Sequence, residues 1–436
     1  MRTGPKAGTA RAAWLEVRGV RAASLAFAWL VGCAEAGGTP SRDAGKTQDS
    51  GDAAVEVGNP LPCGSGGEAC CGVRKTCRSG LSCSGGVCAR LAEDAGDTGG
   101  SCAFVRCGMV CADTISDAKN CGACGHDCQG TTCSASLCQA KGIAVGTKPV
   151  HLAVDAANVY FSDGAGTVNQ VPSSGGTMIQ LASSPSPYGI AYDASFVYFT
   201  SQGTAASGYT DGAVLKVPIG GGDGGAAIPL ATGRPKPQAI AVDGLDVYWL
   251  EPGATTTGAL LSCPLAGCPG NVPNVVYGML ALPYGLAQDS TNVYLTTSAG
   301  GQVLSFSKST GASNILTDSQ DEPSGIAVSD GKVYWATTGG GLIQVIPATG
   351  GAASPIATTM GAPQAVAADG VNVYWSDNSP DPVTTLGPVD SCAIGGCPPS
   401  SLVTLVGQDQ SAADIAIDSL FVYWIGTGGQ ILRVAK

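Results

Sequence analysis

Charge is scarce in this sequence, and so are aromatic rings and histidines. Of 436 residues only 13% are Asp, Glu, Lys or Arg, 6% are aromatic and two are histidine. A helical protein of this length needs charged residues on its solvent faces and far fewer than the 65 glycines present, so a helical fold is excluded. Basic residues are outnumbered, 22 against 33 acidic, which gives a formal charge of −11. Such a surface repels phosphate backbones and excludes nucleic acid as a partner. No basic patch lies beyond Lys141. The sequence carries no serine nucleophile elbow and no phosphate-binding loop. What remains is Gly-rich sequence with Val, Ile, Tyr and Trp between frequent turns, the signature of an all-β protein.

Cysteine, by contrast, is plentiful. Of the 19 cysteines one, Cys33, stands alone. Six lie between Cys63 and Cys88, eight between Cys102 and Cys138, and the last four form the pairs Cys263/Cys268 and Cys392/Cys397. Without Cys33 every cluster is even, as a disulfide framework requires, and the implied compartment is oxidising. Residues 22–32 form an uncharged apolar run behind Arg11, Arg18 and Arg21. It is too short to span a bilayer as a stable helix but suits a signal peptide. It ends in Leu30-Val31-Gly32-Cys33, which resembles the lipobox of bacterial lipoproteins. That resemblance implies cleavage before Cys33, lipidation of its thiol and membrane attachment through the lipid. Ala34 after the cysteine, rather than Asp, points by the same resemblance to the outer membrane. An ordinary signal peptide, with release into the periplasm or exterior, is the alternative.

Residues 34–62 are rich in Gly, Ala, Asp and Ser without an apolar period and read as a flexible tether. Residues 63–90 and 101–140 read as two small modules that cross-links must hold, at about 2–4 kcal/mol per disulfide. The first has a spacing similar to small cystine-knot-like modules, and its six cysteines allow fifteen pairings. The second contains Asn120-Cys121-Gly122-Ala123-Cys124-Gly125-His126-Asp127-Cys128 and resembles a short cysteine-rich repeat of exported bacterial proteins. Zinc held by Cys121, Cys124, Cys128 and His126 is the alternative to disulfides there. Disulfides are the reading adopted, with no metal or cofactor and with His126 a solvated loop residue.

From Gly142 the chain repeats. Val-Tyr followed by an apolar residue occurs at Val159-Tyr160-Phe161, Val197-Tyr198-Phe199, Val247-Tyr248-Trp249, Val293-Tyr294-Leu295, Val333-Tyr334-Trp335, Val373-Tyr374-Trp375 and Val422-Tyr423-Trp424. The interval, roughly 40–50 residues, is that of one four-stranded propeller blade. Upstream of each lies an apolar–Ala–x–Asp strand such as Ile240-Ala241-Val242-Asp243, with Ser329 replacing the Asp once. The recurring Ala is expected where inner strands crowd the axis. The recurring Asp is read as a turn cap, with calcium binding the alternative. The last copy stops after a third strand, Gly429 to Lys436, and Gly142-Ile143-Ala144-Val145 supplies the missing fourth. A seven-bladed β-propeller over 142–436, closed by its N-terminal strand, is therefore predicted. Cys263 and Cys392 stand where Val171 and Val217 stand in other copies, so Cys263–Cys268 and Cys392–Cys397 should each staple their own hairpin. The copies resemble the repeats of YWTD/NHL-like propellers. Some seven-bladed propellers that this one resembles are lyases, and others hydrolyse lactones with a bound metal.

Propeller ligands usually sit over the axis, on loops entering the inner strands. The two positions after the repeated proline lie there. The first holds Val150, Tyr188, Gln238, Tyr284, Ser324, Gln364 and Ala413. The second is Gly or Ala in the middle copies but His151 in the first and Asp414 in the last. Closure makes those copies neighbours, so His151 and Asp414 should face each other, either as a plug or as a ligand-binding or acid–base pair. The expected ligand-facing set is His151, Asp414, Tyr188, Gln238, Tyr284, Ser324 and Gln364. A module presenting Tyr, Gln and Ser suits a glycan or an envelope protein. An axial lyase or metal-dependent hydrolase is the alternative, although Glu251 and Glu322 lie off the axial positions. An envelope spacer is the third possibility.

Overall fold

A computed structural model describes residues 82–84, 87–89, 104–108, 110–221, 225–253, 257–359, 361–378, 387–397, 402–407 and 413–436. Cys33, the linker and most of the first module lie outside these residues. The chain divides into two units, Met1–Leu91 and Ala92–Lys436. In the first unit, strands Ser82–Ser84 and Val87–Ala89 pair antiparallel with Cys83 opposite Cys88.

The second unit carries seven four-stranded antiparallel sheets. Blade 1 runs from its inner strand Pro149–Val154 through Asn158–Asp163 and Thr167–Pro172 to its outer strand Ile179–Ser183. Blades 2 to 6 repeat this order. Blade 7 takes Ile415–Ile417, Phe421–Ile425 and Gln430–Ala435 from the end of the chain and Lys141–Val145 from before blade 1. Ile431 lies opposite Ala144 and Leu432 opposite Gly142 across a bulge. The propeller is thus closed as the repeat predicts. Among the described residues no helix is long and apolar enough to cross a membrane.

The Val-Tyr-apolar triplet explains the packing. Alternate residues of a strand point to opposite faces. In each second strand the Val and the third residue pack back on the preceding blade, and the Tyr packs forward on the next. Tyr198 of blade 2 shares a cluster with Val247 and Trp249 of blade 3. Tyr160 meets Val197 and Phe199, Tyr334 meets Val373 and Trp375, and Tyr423 of blade 7 meets Val159 and Phe161 of blade 1. Each of the seven hydrophobic clusters fills one blade interface, so the core is a ring of interfaces.

The recurring Asp is a turn cap. Asp155 Oδ1 accepts the amides of Ala157 and Asn158 at 2.7 Å, and Oδ2 accepts the Tyr160 hydroxyl at 2.6 Å. Tyr198 donates likewise to Asp193, Tyr294 to Asp289, Tyr374 to Asp369 and Tyr423 to Asp418. Burial raises the Asp193, Asp289 and Asp369 carboxyls, but these donors outweigh it and hold all three below the ordinary 3.8. On Asp155 these donors take three of the roughly four acceptor positions of the carboxylate. Two caps also bind the neighbouring blade: Lys308 reaches Asp243 at 2.9 Å, and the C-terminal Lys436 reaches Asp369 at 2.7 Å. Blade 5 departs. There Asp330 and Gly331, both left-handed (φ 48° and 66°), make a two-residue hairpin turn, and Ser329 holds the cap position. The buried Tyr334 hydroxyl consequently has no hydrogen-bond partner among the described residues.

Cys263 bonds Cys268 and Cys392 bonds Cys397, each within one hairpin. Cys263 lies opposite Val247 in the ladder and Cys392 opposite Val373. The stapled turns also reach the preceding blade, the Cys268 amide donating to Leu230 O at 2.9 Å and the Cys397 amide to Ile356 O at 3.1 Å. In the second module Cys107 bonds Cys124, Cys121 bonds Cys133 and Cys128 bonds Cys138; Cys111 is disulfide-bonded as well. The zinc alternative fails because its three sulfurs are all in disulfides. His126 is half-buried rather than solvated, with Nδ1 at 2.5 Å from Cys121 O. The buried cysteines Cys121, Cys128, Cys133 and Cys138 join the cluster between blades 6 and 7, with Leu405 and Trp424.

Replacing Tyr160 by Phe removes a hydrogen bond to a charged group and should cost about 1.5–3 kcal/mol. Tyr334→Phe removes a hydroxyl that has no partner and should be neutral or stabilising. Urea unfolding of both variants checks this; equal losses would contradict the assignment.

Candidate axial site

The loops that enter the inner strands are held by three devices. The first is backbone conformation. Ser186, Lys236, Leu282 and Glu322, each directly before the repeated proline, are left-handed, with φ between 46° and 52°. Three of these residues have carbonyls that are then fixed from the far end of the second strand, by the amides of Gln202, Ser298 and Thr338.

The second device is a hydroxyl two residues after the repeated tyrosine. Thr200 Oγ1 accepts the Gly189 amide at 2.8 Å and donates to Gln238 O of blade 3 at 2.7 Å. Thr296 does the same between Gly285 and Ser324 O of blade 5, at 2.9 and 2.6 Å. Ser162 accepts from His151 N and donates to Tyr188 O of blade 2. Ser376 accepts the Ala365 amide at 3.2 Å. Each inner strand is bulged at this point, and the hydroxyl takes the place of the missing ladder bond. The sequence reading missed these four residues. Their signal was present as the recurring Ser or Thr two places after Tyr.

The third device is close approach. A Cβ on Gly285 would stand 2.5 Å from Ser324 O of the next blade, and one on Gly189 or Gly325 would collide with Gln238 O or Gln364 O. The small residues of the middle copies are thus required by blade contact. The recurring Ala has a related role, since Ala191 and Ala327 pack at the edges of the interface clusters.

Over the axis these loops leave a depression of about 170 Å³, lined by His151, Gly189, Ala239, Tyr284, Gly285, Gly325, Gln364, Ala413 and Asp414, with the apolar residues that follow them. His151 and Asp414 face each other across the seam between blades 1 and 7, with Nδ1 3.2 Å from Asp414 Oδ2. The Leu152 amide donates to the same oxygen at 2.9 Å and fixes the carboxylate. The Tyr188 ring meets the imidazole edge-on, with centroids 4.7 Å apart. Loss of water raises the Tyr188 hydroxyl to about 12, and Tyr284 and Asp414 add to the shift. Tyr284 is raised by the same loss of water and by Asp414. The two phenols and the carboxylate therefore share one field, while the Tyr284 ring remains 42% exposed.

Three residues of the expected set do not line the depression: Tyr188, which packs edge-on against His151, Ser324 and Gln238. Ser324 is buried, and its one hydroxyl proton is within reach of three carbonyls of the fold, Ala336 O, Pro363 O and, nearest at 3.2 Å, Gln364 O. Its blade has Ala336 where others carry the bridging hydroxyl, so Ser324 supplies the bond to blade 6 from the facing strand. Gln238 is half-buried and does not line the depression; its amide and carbonyl are tied to Leu250 O and Thr200. Glu251 is likewise structural, accepting both Arg234 nitrogens at 2.7 and 3.0 Å and the Trp249 indole at 2.9 Å.

Fold and site together define a disulfide-stapled, seven-bladed propeller with one polar seam at its axis. No family model matches the sequence, and no curated protein matches it. Among solved structures it is similar to virginiamycin B lyase from Staphylococcus aureus, at 13% identity over 68% of this chain and 98% of that one, with a TM-score of 0.54. A streptogramin B lyase aligns over 68% and 97% at 13% identity with a TM-score of 0.52. The WD40 propeller of Doa1 aligns over 68% and 97% at 11% identity with a TM-score of 0.53. Likeness at this identity establishes the propeller fold and nothing finer. The resemblance of the repeats to YWTD/NHL-like propellers stands at that level.

Thr200→Val, which keeps the side-chain shape, orphans the Gly189 amide and the Gln238 carbonyl and should cost about 2–5 kcal/mol. Thr210→Val, at an exposed loop position, should cost under about 0.5 kcal/mol. Denaturant midpoints of the two variants decide whether the hydroxyl bridge holds the loops.

Proposed function

We propose that this chain is an exported envelope lipoprotein, anchored through Cys33, that binds an envelope glycan or protein with the axial face of its propeller. The observation that carries the reading is the His151–Asp414 pair. The middle copies carry Gly or Ala at this position, and at the seam the chain instead places an imidazole and a fixed carboxylate in an open depression. A residue needed only for packing would be apolar at this point. The even, oxidised cysteines support an exported protein, and the lipobox-like segment supports the anchor.

A second reading rests on the same pair. An imidazole held by a carboxylate is the usual general base, and two of the similar structures are lyases. A metal-dependent hydrolase is less well supported. The ionisable groups lining the depression, among the described residues, are one carboxylate, one imidazole and one phenol, where a divalent ion needs a convergent oxygen or nitrogen set.

His151→Ala and Asp414→Asn should each weaken retention of envelope glycans or proteins at least tenfold while leaving the melting temperature within a few degrees. Unchanged retention by both folded variants would remove the axial site and leave a spacer. Conversion of a cyclic depsipeptide such as quinupristin to a linear product of unchanged mass, abolished by His151→Ala, would establish the lyase instead. Cys33→Ser should move the protein from the membrane to the soluble fraction and abolish incorporation of labelled palmitate. Retention in the membrane would overturn the anchor.

A further inference from the structure

We propose that the axial depression takes an alkylammonium group, presented either as a lysine side chain of a partner protein or as a free amine of that shape. The inference rests on the axial-ligand reading and narrows it to one chemistry. Ser324 turns its hydroxyl into the fold and Gln238 does not line the depression, so the polar side chains that line it are His151, Asp414, Gln364 and Tyr284. A sugar ring carries hydroxyls around its whole rim, and each needs a partner when buried. Here most lining residues are Gly, Ala, Ile, Leu and Val, so few side chains could partner such hydroxyls, and the remaining polar surface is backbone.

The charge pattern selects the head group. No lysine or arginine lines the depression among the described residues. Asp414 is the carboxylate there, its side chain 18% exposed, and the hydrogen bonds from His151 and Leu152 both reach Oδ2. Among the described residues no hydrogen bond reaches Oδ1, which is the oxygen a cation would take. Tyr284 offers an exposed ring that lines the depression, and ring faces attract ammonium groups. The formal charge of −11 steers cations toward the protein from a distance.

The test uses the full chain and calorimetric titration with n-butylammonium chloride, with n-butanol as the neutral isostere. Butylammonium should bind, butanol should bind at least tenfold more weakly, and added salt should weaken the cation alone. Asp414→Asn keeps the amide bond from Leu152 and should reduce butylammonium binding about tenfold or more. Tyr284→Ala should reduce it roughly three- to thirty-fold, while Tyr284→Phe, which keeps the ring, should bind as the wild type does. An acetylated Gly-Lys-Gly amide that binds more tightly than butylammonium, and loses binding when its lysine is Nε-acetylated, identifies a protein partner. The reverse order identifies a free amine. Equal binding of butanol, indifference to Asp414→Asn, or no binding of butylammonium up to about 10 mM would overturn the proposal. If in the same titrations an envelope glycan binds in a His151-dependent way while butylammonium does not, the axial site stands and the cation chemistry falls.

Discussion

The pairing of Lys141–Val145 with Gln430–Ala435 is the contact on which the rest of the molecule depends. A propeller blade touches only its neighbours, so every blade needs one on each side to cover its two apolar faces. In an open array the Tyr423 face of blade 7 and the Phe161 face of blade 1 would both stand in water. Closure buries them together with Ile143 from the joining strand. The same contact brings His151 and Asp414, 263 residues apart, to within hydrogen-bond distance. Ring stability and the axial site therefore have one common origin.

Within the ring, labour is divided by position. The triplet around each tyrosine fills two interfaces, and the preceding Asp anchors the phenol and the turn at once. Blade 5 shows that the two tasks separate. Its Asp330-Gly331 turn needs no cap, so the anchor is lost although the Tyr334 ring still packs. The bridging hydroxyl is also exchangeable. Blade 5 places it on the facing strand at Ser324. Blade 7 dispenses with it: Ile425 and the Ala413–Asp414 loop exchange backbone bonds directly. Blade 3 pairs in the same way, Leu250 exchanging backbone bonds with Gln238 and Ala239.

Much of the fold was legible because repetition exposes it. One Val-Tyr-apolar segment is an ordinary strand, but seven at near-equal spacing carry blade size, number and the truncated last copy. The hairpin disulfides were legible for the same reason, since Cys263 and Cys392 fall on a ladder position known from the other copies. The axial position of His151 followed from counting residues after Pro149, and that of Asp414 from its place directly before the repeated Ile415-Ala416 strand. Ser324 and Gln238 occupy the same position in that count, and there it misled. Alignment assigns a loop position, whereas the direction of a side chain depends on the blade beside it, and Ala336 in one blade redirects Ser324 in the facing strand. Glycine at 189, 285 and 325 had no explanation in the sequence, and its reason is contact with a carbonyl of the next blade.

By itself the sequence determined the all-β class, the seven units, the closing strand and the oxidised state of the cysteines, because periodicity and parity are properties of the chain alone. Which thiols pair in the second module, where that module docks, and which polar groups are left over to face the axis were decided only in three dimensions. Those outcomes depend on distances between segments that are far apart in the chain. A hydroxyl or carboxylate is available to a ligand only after the neighbouring blades have satisfied their own backbone groups.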